Sequence, residues 1–216
     1  ITTRQPDGRE LARVGQTLGR YGLVDSRAAI SGGTDKLGVR FAASRFEQDG
    51  FRRHSAVEQY RASTRVVWTP STATRATFQA GYFEAPEEQD PGAVTAEQAR
   101  RSPREPRAAN VAFDAGESLE QWRFGVGLEH EFGAGDRQRV RLSGFGFVRD
   151  FGNRLPFESG GQVAFERVFA GVDGQYEIDV RWGGVAQRLT AGFDYRDQDD
   201  DRRRFDNLAG VRGDQV

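Results

Sequence analysis

The chain of 216 residues contains no cysteine, no methionine and only two histidines, and Lys36 is its single lysine. Without cysteine, disulfides and thiolate metal sites are excluded, while the redox compartment stays open. No apolar run approaches the ~20 residues that a membrane-spanning helix requires, and mean hydropathy is −0.69. That excludes a helical span but not a barrel, whose strands show lipid only at every second residue. Formal net charge is −1, which argues against nucleic acid as a partner. No signal-peptide pattern opens the sequence. Ile1-Thr2-Thr3-Arg4 at the start and Gly213-Asp214-Gln215-Val216 at the end carry no terminal strand signal, so the expectation is a piece of a larger protein.

What is present is alternation. From Val168 to Trp182, the residues Val168, Ala170, Val172, Tyr176, Ile178, Val180 and Trp182 fall on one face, with Gly174 among them. Phe169, Asp173, Gln175, Glu177, Asp179 and Arg181 fall on the other. Strands send successive side chains to opposite faces, so this is a ribbon with one apolar wall and one charged wall. Strands of soluble sheets average about five or six residues; a longer strand ending on an aromatic suits a transmembrane barrel.

Turn residues and alternation divide the chain into about nine strands. They run near Leu11–Arg20, Val24–Ile30, Leu37–Ser44, Gln59–Trp68, Arg75–Tyr82, Gln121–Phe132, Arg139–Val148, Val168–Trp182 and Arg188–Arg196. Tight turns at Gly32-Gly33-Thr34-Asp35, Thr69-Pro70-Ser71-Thr72, Gly133-Ala134-Gly135-Asp136 and Gly183-Gly184 follow the even-numbered strands. Most connections after the odd-numbered strands are long and polar: Glu47–Ser55, Glu84–Gly116, Asp150–Gln162, and the charged run from Asp197 to Arg204. Short turns at one end and long loops at the other mark outer-membrane barrels, and a soluble sandwich has no reason to sort loops this way. Trp68 and Trp182 beside short turns, with Trp122 near a long loop, fit aromatic girdles at two interfaces.

Several strings, taken in order, resemble the TonB-dependent outer-membrane receptors. Ile1-Thr2-Thr3-Arg4-Gln5-Pro6 resembles the end of their plug domain, and Ser44-Arg45-Phe46-Glu47-Gln48-Asp49-Gly50-Phe51-Arg52 the top of a barrel strand in the ferric-siderophore branch. Tyr60-Arg61 leading to Val67-Trp68-Thr69-Pro70-Ser71 is similar to the next strand and turn. Pro91–Arg100 is similar to a short helical segment in an extracellular loop of ferric-citrate-like receptors, and Leu189–Tyr195 to a common strand. The resemblance implies an all-β fold: part of an antiparallel up-and-down transmembrane β-barrel of about 22 strands, with one short helix in a long extracellular loop. Residues 1–9 would be the end of the plug and its linker, and 10–216 the N-terminal part of the barrel. It further implies the outer membrane of a Gram-negative bacterium, a ferric siderophore as transported ligand, a TonB complex acting through the plug, outer-membrane lipid as surroundings, and no cofactor of its own.

Candidate chemistry follows the same frame. His54 lacks a second ligand nearby, and His130 fits an interfacial aromatic position. Glu129 and Glu131 share the inward face with Arg139 and Arg141, which gives a cross-strand ion ladder rather than an acid–base pair, so no enzyme is expected. Gly125, Gly127, Gly144 and Gly146 lie inside strands, where they ease curvature or the approach of a filling domain. Arg52, Arg53, Arg149, Arg154, Phe157, Tyr195 and Arg196 are placed at or near the outward strand ends, as ligand-binding candidates for a bulky anionic chelate. The Pro-rich, charged stretch Glu84–Gly116, helical near Thr95–Arg101, reads as a mobile lid. The competing readings are a passive porin-like barrel and a soluble β-rich carbohydrate-binding or adhesive domain.

Overall fold

The computed structural model describes residues 11–133 and 137–216; the expected plug end and the turn centred on Gly135 lie outside them. Ten strands form one antiparallel sheet in simple sequence order. They are β1 Leu11–Leu18, β2 Val24–Gly33, β3 Leu37–Gln48, β4 Val57–Ser71, β5 Thr74–Gln89, β6 Gly116–Phe132, β7 Gln138–Arg154, β8 Gln162–Trp182, β9 Val185–Leu208 and β10 Val211–Gln215. Two short helices, α1 Ala96–Arg101 and α2 Ala108–Ala112, interrupt the connection between β5 and β6. Every neighbour in the sheet is a hairpin partner, which is the meander of an up-and-down barrel. Among the described residues β1 and β10 each pair on one side only.

Residues directly opposed in an antiparallel ladder share a face, and the register keeps the apolar residues together across the sheet. One row reads Val39, Val66, Phe78, Val126, Gly144, Val172, Tyr195. This wall is bare: Val126 is 56% exposed, Phe124 49% and Phe193 61%. Among the described residues the only buried apolar side chains are Val67, Ala85 and Ala115. A water-soluble sheet of this size would cover such a face, because exposing contiguous apolar surface is costly. Here the hydrophobic face is left open, and among the described residues no second layer covers it.

Aromatics lie along the margins of the band. Tyr60, Tyr82 and Trp122 lie toward the long loops, the last two packed at 4.5 Å between ring centroids. His130, Phe132 and Tyr176 lie toward the short turns, with His130 stacked on Phe132 at 5.7 Å and its Nδ1 2.8 Å from Thr74 Oγ1. Two glycines of β8 accept rings from its neighbours: a Cβ on Gly171 would fall 2.6 Å from the Phe145 ring, and one on Gly174 2.4 Å from that of Phe193.

The sequence expectation ends the ninth strand near Arg196, but β9 runs on to Leu208 and turns at Ala209-Gly210 into β10. Asp197–Arg204 is strand, not loop. Charges on both of its faces erase the alternation by which strands are read, and paired charges hold it instead: Arg167 grips Asp200 with two contacts of 2.6 Å, and Arg203 bonds Asp201. The long excursion also begins later than expected, because Glu84–Gln89 belong to β5.

Candidate functional site

Two surfaces can meet a ligand: the polar wall, and the rim where the long connections gather. On the polar wall near the short turns, charges interleave. Glu131 bonds Arg137 at 2.7 Å and also Arg139, while Glu177 meets Arg139 at 3.4 Å and Arg141 at 2.9 Å. Arg188 takes Asp179 with contacts of 2.6 and 3.1 Å. Of the ladder expected from Glu129, Glu131, Arg139 and Arg141, the Glu131–Arg139 pair is present, while Arg141 meets Glu177, which becomes the centre. On β7 and β8 the same wall carries phenyl rings, of which alternation had assigned only Phe169 to it: Phe147 and Phe169 lie at 5.3 Å, Phe151 and Phe165 at 5.0 Å. Guanidinium groups lie over them, Arg149 over Phe147 at 5.3 Å, and Arg167 and Arg202 over Phe165 at 5.3 and 5.1 Å.

The rim is fastened. The Arg52 guanidinium donates to Gly92 O at 2.6 Å, Pro91 O at 3.2 Å and Glu105 O at 3.0 Å, tying the β3–β4 connection to the β5–β6 connection. The Arg53 amide donates to Arg104 O at 2.9 Å, Arg53 pairs with Glu105 at 2.5 Å, and His54 Nε2 lies 2.9 Å from Ala115 O. Helix α1 starts at a capping box in which the Thr95 hydroxyl accepts from the Gln98 amide and the Gln98 side chain accepts from the Thr95 amide, satisfying donors left open at a helix start. Asn207 of β9 is fully buried. Its Nδ2 donates to Phe113 O and Leu155 O, both at 2.9 Å, and its Oδ1 accepts from the Gly210 amide at 2.8 Å. Three connections therefore meet on one side chain. The mobile lid expected from composition is instead a bonded layer, since local polar sequence conceals partners many residues away.

The seven ligand-binding candidates separate accordingly. Arg52 and Arg53 are occupied by the rim bonds just described. Arg154 donates to Asp114 O at 2.7 Å and lies 3.2 Å from the Asp114 carboxylate. Phe157 stands exposed in the β7–β8 connection. Arg149 lies on the polar wall, its Nε donating to Gln121 Oε1 at 2.7 Å. Tyr195 and Arg196 are not at a strand end: with β9 extending to Leu208 they sit near its middle, Tyr195 on the apolar face opposite Val172 and Arg196 on the polar face opposite Gly171. Tyr195 thus belongs to the apolar wall itself, in the row of Val126 and Val172. Among the described residues no group of His, Cys, Asp and Glu is arranged to hold a metal ion. Outside the apolar band, Arg203 holds the Asp201 carboxyl below the usual carboxylate range by hydrogen bonding, and Arg167 does the same for Asp200.

No protein-family model matches the chain, and no curated protein does. Solved structures do. The unliganded ferric citrate transporter FecA superposes with TM-score 0.68 at 13% identity, over 94% of this chain and 30% of that one. The ferripyoverdine receptor of the outer membrane of Pseudomonas aeruginosa gives 0.68 at 14% identity, over 99% and 32%. The alcaligin outer-membrane receptor FauA of Bordetella pertussis gives 0.62 at 14%, over 94% and 30%. The ten-stranded antiparallel sheet is folded like a section of the barrels of these proteins. The chain spans about a third of the length of the structures it matches, and at such identities the likeness is one of fold.

Proposed function

We propose that this chain is a section of the barrel of an outer-membrane receptor that imports ferric siderophores, with energy delivered by a TonB complex through a plug domain. The observation that carries the reading is the division of one ten-stranded sheet into a bare apolar wall and a polar wall, with connections sorted by end. Lipid is the medium that suits the first wall. The second, with its arginines and paired phenyl rings, suits a lumen that meets bulky anions.

Within this reading residues 1–9 are the plug's end and 10–216 the barrel section. Phe157 and Arg149 remain the most available of the ligand-binding candidates, because Arg52, Arg53 and Arg154 already serve the rim. The test is growth of a deletion strain of the source bacterium under iron limitation, complemented with the intact gene and fed defined ferric siderophores. Uptake of radioactive iron from at least one siderophore should depend on the gene. Growth that needs the protein yet is indifferent to iron supply would overturn the substrate class.

A further inference from the structure

The polar wall is not uniform. Between β1 and β6 it sinks into a depression of ~820 Å³. One register row supplies its floor, Ala29, Ala42, Ser63 and Gly81, all small. Arg13 closes that row at one end and Arg123 at the other. Arg27 and Arg61 stand in the row toward the long connections, Arg40 and Arg65 in the row toward the short turns. Strand spacing makes the floor ~14 Å wide, and Arg61 to Arg65 spans about 13 Å along β4. Arg13, Arg27, Arg40, Arg61 and Arg123 thus line a small shallow bowl, Arg149 joins them in the row of Arg61, and Arg65 stands just outside it.

The surroundings do not neutralise it. Among the described residues one carboxylate answers these arginines, Asp25, which is already bonded to Arg27. Arg61 bonds the neutral Gln59 and lies over Phe83 at 5.4 Å. The Arg65 Nε is buried without a hydrogen-bond partner. Nearer the short turns the same wall mixes Glu131, Glu177 and Asp179 among its arginines, so the imbalance belongs to the bowl and not to the wall at large. The floor is also kept low: a Cβ on Gly81 would lie 2.7 Å from Arg123 Nε, so glycine lets that guanidinium lie across the surface. Gathering like charges on a half-enclosed wall is unfavourable unless an anion occupies it.

We propose that this bowl is a polyanion site that takes a compact cluster of carboxylates. The planar fork of arginine fits a carboxylate with two parallel hydrogen bonds, and the flat floor admits planar groups. The carboxylates come either from a free polycarboxylate or from acidic side chains of a polypeptide seated in the lumen. The site does not depend on iron uptake, since a passive barrel with this wall would hold it equally.

The experiment uses the intact protein purified in detergent, with metal-free tricarballylate as probe and its uncharged triamide as control. Binding is read by equilibrium dialysis at low ionic strength for the parent, for Arg61→Gln/Arg123→Gln, and for Arg181→Gln near the short-turn end. Heat-modifiable gel migration verifies that each variant is folded. Tricarballylate binding that weakens at least tenfold in the double variant, and not in Arg181→Gln, supports the site with a free occupant. If the parent binds no probe, a fall in Tm confined to the double variant supports it with acidic side chains as occupant. Neither change, or equal changes in the double variant and Arg181→Gln, overturns the proposal.

Discussion

At the scale of single residues, the two faces of the sheet demand opposite things of the same substitution. Val126 and Val172 stand on the bare apolar wall, so Val126→Arg or Val172→Arg places a charge in hydrocarbon. Each should cost about 2–4 kcal/mol in a refolding titration into lipid vesicles. Asp173→Arg, one residue from Val172 but on the polar wall, should cost much less. Equal costs would mean that the faces are not distinguished by lipid. Gly125→Ala should be tolerated, the nearest atom to a new Cβ being 3.9 Å away, whereas Gly171→Ala must displace the Phe145 ring. Asn207 is the sharpest single position of the rim. Asn207→Ala strands the Phe113 and Leu155 carbonyls that it now satisfies, a loss of about 1–3 kcal/mol that denaturant unfolding should register.

At the scale of elements, legibility followed the environment of each strand. The span from Val168 to Trp182 could be read directly because a bare apolar face on one side and polar contacts on the other leave a two-residue period in the sequence. Asp197–Arg204 left none, being charged on both faces, and β10 was missed with it. Helix α1 was expected from the resemblance of Pro91–Arg100 to a helical segment; α2 has no side-chain cap at Arg107 and gave no signal. The rim was the least legible part, since the bonds of Arg52 to Pro91, Gly92 and Glu105 cross some forty to fifty positions. Backbone amides of residues 91–107 should consequently exchange slowly with solvent deuterium, and Arg52→Ala should speed that exchange selectively; fast exchange in the parent would restore the lid. In the extended β8–β9 ladder, the lowered Asp200 and Asp201 contribute stability that is present above the ordinary aspartate pKa of about 3.9 and is lost as pH falls below it. Amide protection around Arg167 and Arg203 should therefore weaken on acidification and not on mild alkalinisation.

At the scale of the whole molecule, orientation and edges are the testable properties. Peptide tags inserted at Glu97 or Glu158, both in connections at the long-loop end, should be reached by antibody on intact cells, and a tag at Thr72 should not; the reverse pattern would invert the assignment of the two ends. The backbone edges of β1 and β10 are unpaired among the described residues. The 216-residue chain produced alone should accordingly associate or require detergent, which size-exclusion chromatography would reveal against a monodisperse soluble monomer. Strand length climbs from 8 residues in β1 to 24 in β9, or from about 26 Å to about 80 Å of chain at ~3.3 Å per residue. A bilayer's hydrocarbon occupies only ~30 Å, so even a steeply leaning β9 outruns it. The silhouette is lopsided, a low parapet at one edge and a tower at the other. In the proposed orientation, whatever approaches the cell from outside, an antibody or a phage tail included, would touch the β8–β10 tower before anything else described in this chain.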